Sequence, residues 1–182
     1  PDGETFYNST ASLGPILGSY DAAVYGDSFT LGGYLNSVYL NMQEKSYVLV
    51  DTFDKLKDMV NHVKDKEIIA FDTETNSLNT RQGTIIGFSV SAEIGEGYYM
   101  PTAVYDKASD SLVNATIDGK DCQDLAKQFI SKLVGKKLIM HNASFDCRFV
   151  KNFYGVDLLP SLYVDTILLV HTVNEEGAGF AF

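Results

Sequence analysis

The chain has few of the residues that build disulfide scaffolds or zinc sites. Cys122 and Cys147 are the only cysteines among 182 residues, too few for a secreted disulfide framework or a cysteine-based zinc centre. No apolar run approaches the roughly 18–20 residues that span a bilayer. No basic stretch leads into an apolar segment as in a secretory signal. We therefore expect a cytoplasmic, monomeric protein that has no membrane partner and folds without disulfides.

Positive charge is also scarce. The chain has 14 Lys and Arg against 24 Asp and Glu, a net charge of −10, whereas nucleic-acid binding usually needs a basic surface. Residues 119–151, however, contain seven basic and three acidic side chains. Lysines on the solvated face of a helix explain most such runs, so the charge pattern permits a nucleic-acid partner without requiring one.

Hydrophobic periodicity from residue 46 onward predicts alternating strands and helices. Strands are predicted at 47–50, 68–71, 84–91, 98–102, 137–141 and 163–165. Helices are predicted after the N-cap candidates Asp51 and Thr52, at 121–134, at 144–155 with Ser144 as its cap, and at 166–173. Residues 103–119 are predicted to be a loop. Residues 1–45 have weak periodicity and are predicted to be an irregular segment of unknown role, with one short strand or helix near 33–40.

The order of these elements predicts an α/β fold. Hairpins join the strands at 68–71, 84–91 and 98–102 into an antiparallel group, and right-handed crossovers add the two later strands in parallel beside the first. We therefore expect a mixed five-stranded sheet, three antiparallel strands and then two parallel ones, with flanking helices.

Two acids follow the most apolar predicted strand. Asp72 and Glu74 are two residues apart, so in an extended chain both carboxylates point to the same side. Held together they would repel each other unless a cation neutralised them, and Mg²⁺ or Mn²⁺ prefers such oxygen ligands. The alternative is a surface turn with two solvated acids.

A second polar cluster, from His141 to Asp146, follows another buried strand and opens a helix. The first turn of a helix favours a carboxylate, so Asp146 is either a partner of the helix dipole, beside a cap at Asn142 or Ser144, or a third metal ligand. Asp165 again stands where a strand meets a helix. It is interpreted as a cap or as a residue that orients the neighbouring loops.

Three motifs together resemble a known family. They are Phe71-Asp72-Thr73-Glu74-Thr75-Asn76-Ser77-Leu78, His141-Asn142-x-x-Phe145-Asp146, and Asp165-Thr166. Their combination is similar to the 3′→5′ proofreading exonuclease domain of family A DNA polymerases. That domain belongs to the DEDD superfamily, whose fold is ribonuclease H-like. The resemblance covers roughly residues 46–173, and the joint occurrence of the first two motifs is specific where either alone is not.

The resemblance implies a metal-dependent nuclease. Asp72, Glu74 and Asp146 would be catalytic and would bind two Mg²⁺ or Mn²⁺ ions. Two metal ions about 4 Å apart activate a water and stabilise the leaving oxygen of an in-line displacement. The expected reaction releases nucleoside monophosphates from the 3′ end of single-stranded DNA, with a polymerase domain in the same parent chain, in a bacterium or a phage-infected cell.

The resemblance also implies contacts with substrate. The backbone of Thr73 and the side chain of Leu78 would contact the terminal nucleotide, with Leu78 wedged against its base. Asn142 would bind the DNA backbone, and Phe145 is a candidate stacking surface. Tyr98 and Tyr99 are further stacking candidates, and the alternative role of all three aromatic residues is core packing.

Two features depart from the family pattern. The family often has a lysine at the position of Ser144. Its third motif, Tyr-x-x-x-Asp, is expected beyond Phe182, so we expect residues 46–182 to form an exonuclease-like domain that is incomplete at its C-terminus and weak or inactive alone. Two other functions stay open: an RNA-trimming exonuclease of the ribonuclease D kind, and a non-catalytic module that binds single strands or braces a polymerase.

Overall fold

The computed structural model describes residues 45–173. The predicted irregular segment 1–45, apart from its last residue, and residues 174–182 lie outside the described part. A strand or a helix is present at each position where the sequence predicts one between residues 46 and 173. In chain order they are β1 (Ser46–Leu49), α1 (Phe53–Lys64), β2 (Ile68–Thr75), β3 (Ile85–Ser91), β4 (Glu96–Pro101), β5 (Ala103–Asp106), β6 (Ser111–Asn114), β7 (Thr116–Ile117), β8 (Lys120–Asp121), α2 (Cys122–Ser131), β9 (Lys137–Met140), α3 (Ala143–Tyr154), a 3₁₀ turn (Leu159–Ser161), β10 (Leu162–Asp165) and α4 (Thr166–Val173).

The central sheet has the order β1-β4-β3-β2-β9-β10. Strands β2, β3 and β4 pair antiparallel, and β9 and β10 are added in parallel beside β2. The predicted mixed α/β class is therefore confirmed. The expected count of five strands was one too few, because β1 joins the sheet as a sixth strand beside β4. Next to β1, the Val50 amide donates a hydrogen bond to the Tyr99 carbonyl at 2.8 Å.

One face of β2 is buried and the other is exposed. Ile69, Phe71 and Thr73 are buried, and the alternate residues Asp72 and Glu74 are exposed, as the two-residue period of a strand requires. The buried face joins the apolar sides of α1, α2 and α3 in one core. The acid pair therefore lies on the face of β2 opposite that core.

Two local predictions were wrong. The expected loop at 103–119 contains two small hairpins, β5–β6 and β7–β8. The second turns on Asp118 and Gly119, both with positive φ, the Asp-Gly pair that a two-residue hairpin favours. The helix expected to reach residue 134 ends at Ser131, because the next amides bond three residues back instead of four, which tightens the last turn. Within residues 45–173, no helix combines the length and the apolar character needed to cross a membrane.

Candidate active site

The acid pair on β2 is electrostatically coupled. Asp72 and Glu74 share the exposed face of the strand. Partial burial and the negative charge of Glu74 raise the pKa of Asp72, and the nearby His141 lowers it in part. Two negative charges held on one face of a strand attract a cation, so the expected pairing of these acids is present in the fold.

Asp146 is the most deeply buried acid of the site, with 1% of its surface exposed. Its Oδ1 accepts hydrogen bonds from the Thr73 amide at 3.0 Å and from the Thr73 hydroxyl at 2.5 Å. Burial raises the pKa of Asp146 to about 6, the Thr73 bonds oppose that rise, and the negative charge of Asp72 adds to it. The first helical turn of α3 therefore brings Asp146 beside β2, and the Thr73 amide is engaged with this carboxylate. Thr73 as a nucleotide contact stays a prediction.

The three carboxylates do not form a preassembled metal site. Within residues 45–173, no group of three or more His, Cys, Asp or Glu side chains is arranged to hold an ion. Asp146 bonds to Thr73, whose side chain is buried, whereas Asp72 and Glu74 are exposed on the other face of β2. The donor set itself suits Mg²⁺ or Mn²⁺, which prefer carboxylate oxygens. Oδ1 of Asp146 accepts both hydrogen bonds from Thr73, so Oδ2 takes part in neither of these two bonds. The chemistry of the donor set fits a divalent cation.

The N-terminus of helix α3 is capped by Asp165, the last residue of strand β10. Asn142 precedes the helix in the left-handed region, with φ 57°, and its side chain makes no capping bond. The Asp165 carboxylate accepts the amides of Asn142 at 3.0 Å, Ala143 at 2.9 Å and Ile167 at 3.1 Å. The interpretation of Asp165 as a cap that orients its neighbours agrees with this geometry. Ser144 as the cap was wrong, because Asn142 occupies the N-cap position and Ser144 lies in the first turn of the helix.

We expect Asp165→Ala to lower the free energy of unfolding by about 2 kcal/mol, because three amides lose a charged acceptor. Asp165→Asn, which keeps one acceptor oxygen, should lose less. Urea unfolding measures both, with Asp54→Ala as the matched control, since Asp54 is an exposed acid in the first turn of α1. Equal losses for Asp165→Ala and Asp54→Ala would contradict the capping role.

Leu78 lies in a closed loop between β2 and β3. Its side chain is 88% exposed, as a wedge against a base would need. Asn76 and Thr84 close the loop with two hydrogen bonds, at 3.2 and 2.7 Å. Asn152 of α3 ties the loop to the helix by donating to the Thr80 carbonyl at 3.0 Å. Sequence reasoning missed Asn152, because no local signal links a helix surface to a distant loop.

The aromatic candidates take different positions. Phe145 is half-buried and its ring lies 5.1 Å from that of Phe149. The Tyr98 ring lies 5.0 Å from that of His62. Both rings therefore contact neighbouring rings, and their stacking on DNA stays a prediction. The side chain of Asn142 is exposed, and its predicted contact with DNA stays a prediction.

A groove lies on the exposed face of the sheet beside the acids. Its volume is about 970 Å³, and Asp72, Tyr99, His141 and Thr166 are among its lining residues. His141 Nδ1 lies 2.8 Å from the Thr166 hydroxyl, which fixes the imidazole next to the acid pair. The groove therefore gives access to Asp72 from the side of the sheet that α1, α2 and α3 do not cover.

The sequence as a whole agrees with this geometry. Residues 47–177 match the family model described as 3′-5′ exonuclease. The chain belongs to the 3′-5′ exonuclease family. Members of this family generally use divalent metal ions, and the described α/β fold is ribonuclease H-like, as the motifs predicted.

Curated relatives are much longer DNA polymerases. The chain is 27% identical over 141 residues to DNA polymerase I of Borreliella burgdorferi, covering 74% of this chain and 14% of that protein. It is 25% identical over 136 residues to the PolC-type DNA polymerase III of Staphylococcus aureus, covering 67% of this chain and 9% of that one. In these relatives, the exonuclease-like segment is therefore a small part of a polymerase chain.

Solved structures share the fold at low sequence identity. Ribonuclease D from Trypanosoma brucei in complex with GMP matches with a TM-score of 0.54 and 14% identity, over 75% of this chain and 37% of that one. The POL domain of Pol1 from M. smegmatis, in complex with a DNA primer-template and dNTP, matches with a TM-score of 0.51 and 14% identity, over 74% and 21%. Both likenesses concern the fold, which does not by itself determine the substrate.

Proposed function

We propose that this exonuclease domain removes nucleoside monophosphates from the 3′ end of single-stranded DNA by two-metal catalysis, as the proofreading nuclease of a DNA polymerase. The observation that carries the proposal is geometric: Asp72 and Glu74 share the exposed face of β2, and Asp146 of α3 is bonded to Thr73, the residue between them. The negative charge of Glu74 raises the pKa of Asp72, and the charge of Asp72 raises the pKa of Asp146. The polymerase relatives support a polymerase domain in the same parent chain. They also support the bacterial, cytoplasmic setting that the sequence predicted.

The carboxylates would hold the divalent cations, and the rest of the site would hold the DNA. Asp72, Glu74 and Asp146 would be ligands of these cations. When bound, the cations would supply the positive charge that activates water and stabilises the leaving 3′ oxygen. The exposed Leu78 would rest against the terminal base, and Asn142 would contact the backbone of the strand.

The test is nucleotide release from a 3′-labelled single-stranded DNA in Mg²⁺ or Mn²⁺, measured with the full-length gene product that carries this chain. We expect Asp72→Ala to slow release by at least about 100-fold, because loss of a metal ligand removes several kcal/mol of charge stabilisation. Asp124→Ala is the matched control, an exposed acid in the first turn of α2. It should keep the wild-type rate.

Three outcomes would contradict the proposal. An unchanged rate in Asp72→Ala would place the activity elsewhere. Preferential cleavage of an RNA of the same sequence would identify a ribonuclease, since that choice depends on contacts with the 2′-OH. Metal-independent DNA binding without any release would identify a non-catalytic binding module.

A further inference from the structure

Tyr99 of β4 lies unusually close to the backbone of the neighbouring strand. It pairs with Ser89 of β3, but its ring leans over Gly87, two residues away on the same face. A Cβ atom at Gly87 would lie 2.6 Å from Cζ of Tyr99, so any residue with a side chain at this position would displace the ring. Glycine at this position therefore allows the phenol ring to lie flat against β3.

The position of Gly87 places the Tyr99 hydroxyl beside Glu74. Gly87 pairs directly with Glu74 in the antiparallel ladder of β2 and β3. Directly opposed residues point to the same face, with Cβ atoms about 4.5–5.5 Å apart. The Tyr99 ring occupies the Cβ position of Gly87 and is therefore within reach of the Glu74 carboxylate.

An electrostatic observation agrees with this geometry. Burial raises the pKa of Tyr99, and the negative charge of Glu74 raises it further. A phenol with an ordinary pKa of about 10 is already protonated at neutral pH, so the hydroxyl is available as a hydrogen-bond donor. Tyr99 also lines the groove that contains Asp72, so its hydroxyl lies on the same side of the sheet as both acids.

We infer that Tyr99 is a positioning residue of the exonuclease site: its hydroxyl, which lies within reach of the Glu74 carboxylate, donates a hydrogen bond to that carboxylate when a divalent cation is bound and orients it towards the ion. The inference rests on the proposed function, since it assigns Glu74 to the metal site. A donor on one carboxylate oxygen fixes the rotation of the group and leaves the other oxygen for the ion.

The first readout is Mn²⁺ affinity without DNA, measured by titration calorimetry of the full-length gene product. We expect Tyr99→Phe to weaken binding about fivefold, because one hydrogen bond to a charged group is lost and about 1 kcal/mol corresponds to that factor. Tyr105→Phe is the matched control, because the Tyr105 hydroxyl donates to the Asp110 carboxylate in the β5–β6 hairpin, outside the site. It should leave Mn²⁺ affinity unchanged.

The second readout separates positioning from a structural role. At saturating Mn²⁺ we expect Tyr99→Phe to lower kcat about fivefold. KM for single-stranded DNA should stay within about twofold of the wild-type value, because Glu74 would bind the cation at the reacting phosphate and would not bind the rest of the DNA. In a Glu74→Gln background, Tyr99→Phe should add no further loss. A full additive loss in that background would overturn the inference.

Gly87→Ala provides an independent test, because its methyl group pushes the ring off β3 while the hydroxyl remains. We expect it to weaken Mn²⁺ binding about as much as Tyr99→Phe does. If the wild-type protein binds Mn²⁺ and releases nucleotides but Tyr99→Phe changes neither property, the role of Tyr99 is overturned and the proposed function is kept. A wild-type protein that neither binds Mn²⁺ nor releases nucleotides would overturn both.

Discussion

Asp146→Asn is expected to stabilise the folded protein at neutral pH while it abolishes nuclease activity. Asp146 is 1% exposed, and burial raises its pKa from 3.8 to about 6. Asparagine keeps an acceptor oxygen for the two Thr73 hydrogen bonds and carries no charge. The substitution therefore removes the cost of a buried anion close to Asp72, and with it the negative charge that a divalent cation needs.

The sign of the pH dependence follows from the raised pKa. Below about pH 4, Asp146 is protonated in both the folded and the unfolded chain and contributes nothing to the difference. Between about pH 4 and pH 6 it ionises only in the unfolded chain, so stability falls as the pH rises. Above pH 6 the cost is constant, and a difference of about two pKa units corresponds to about 3 kcal/mol.

Urea unfolding in a metal-free buffer measures this effect. We expect Asp146→Asn to match the wild type near pH 4 and to exceed it by about 1–3 kcal/mol at pH 7. In the same protein, nucleotide release should fall at least about 100-fold. Asp124→Asn, an exposed control, should show neither change. Equal stability of wild type and Asp146→Asn at both pH values would contradict the burial cost.

Features that depend on local pattern were predictable from the sequence. Asp72 and Glu74 stand two residues apart directly after an apolar strand, and the period of a strand fixes their common face. The Thr52 N-cap of α1, which accepts from the Lys55 amide, and the end of α3 at Gly155 likewise follow from residue types at helix boundaries.

Features that depend on distant contacts were not predictable in the same way. The β1 strand was recognised, but its partner β4 lies beyond a helix and two other strands, so no local pattern specified the pairing. Asp165 fixes the start of a helix more than 20 residues before it. The closeness of Tyr99 to Glu74 depends on the register of three strands. Only Asp118-Gly119 carried a local signal that the sequence analysis overlooked.

The largest loss of stability is expected from the centre of the core, at Phe88 of β3. Its side chain has no exposed surface, its ring stacks on Phe129 of α2 at 5.4 Å, and Phe71 of β2 lies 6.0 Å away. We expect Phe88→Ala to lower the free energy of unfolding by about 4 kcal/mol, since a buried phenylalanine leaves a large cavity. That is a large share of the total stability of a typical domain, about 5–15 kcal/mol.

Two further variants distinguish cavity formation from a general effect of losing a ring. Phe88→Leu keeps most of the buried volume and should cost about 1.5 kcal/mol or less. Phe53→Ala removes a ring that is 39% exposed, at the start of α1, and should cost far less than Phe88→Ala. Because Phe88 pairs directly with Thr73, between the two acids of β2, we also expect Phe88→Ala to weaken Mn²⁺ binding, whereas Phe53→Ala should not. Equal losses of stability at both positions would contradict a core centred on Phe88.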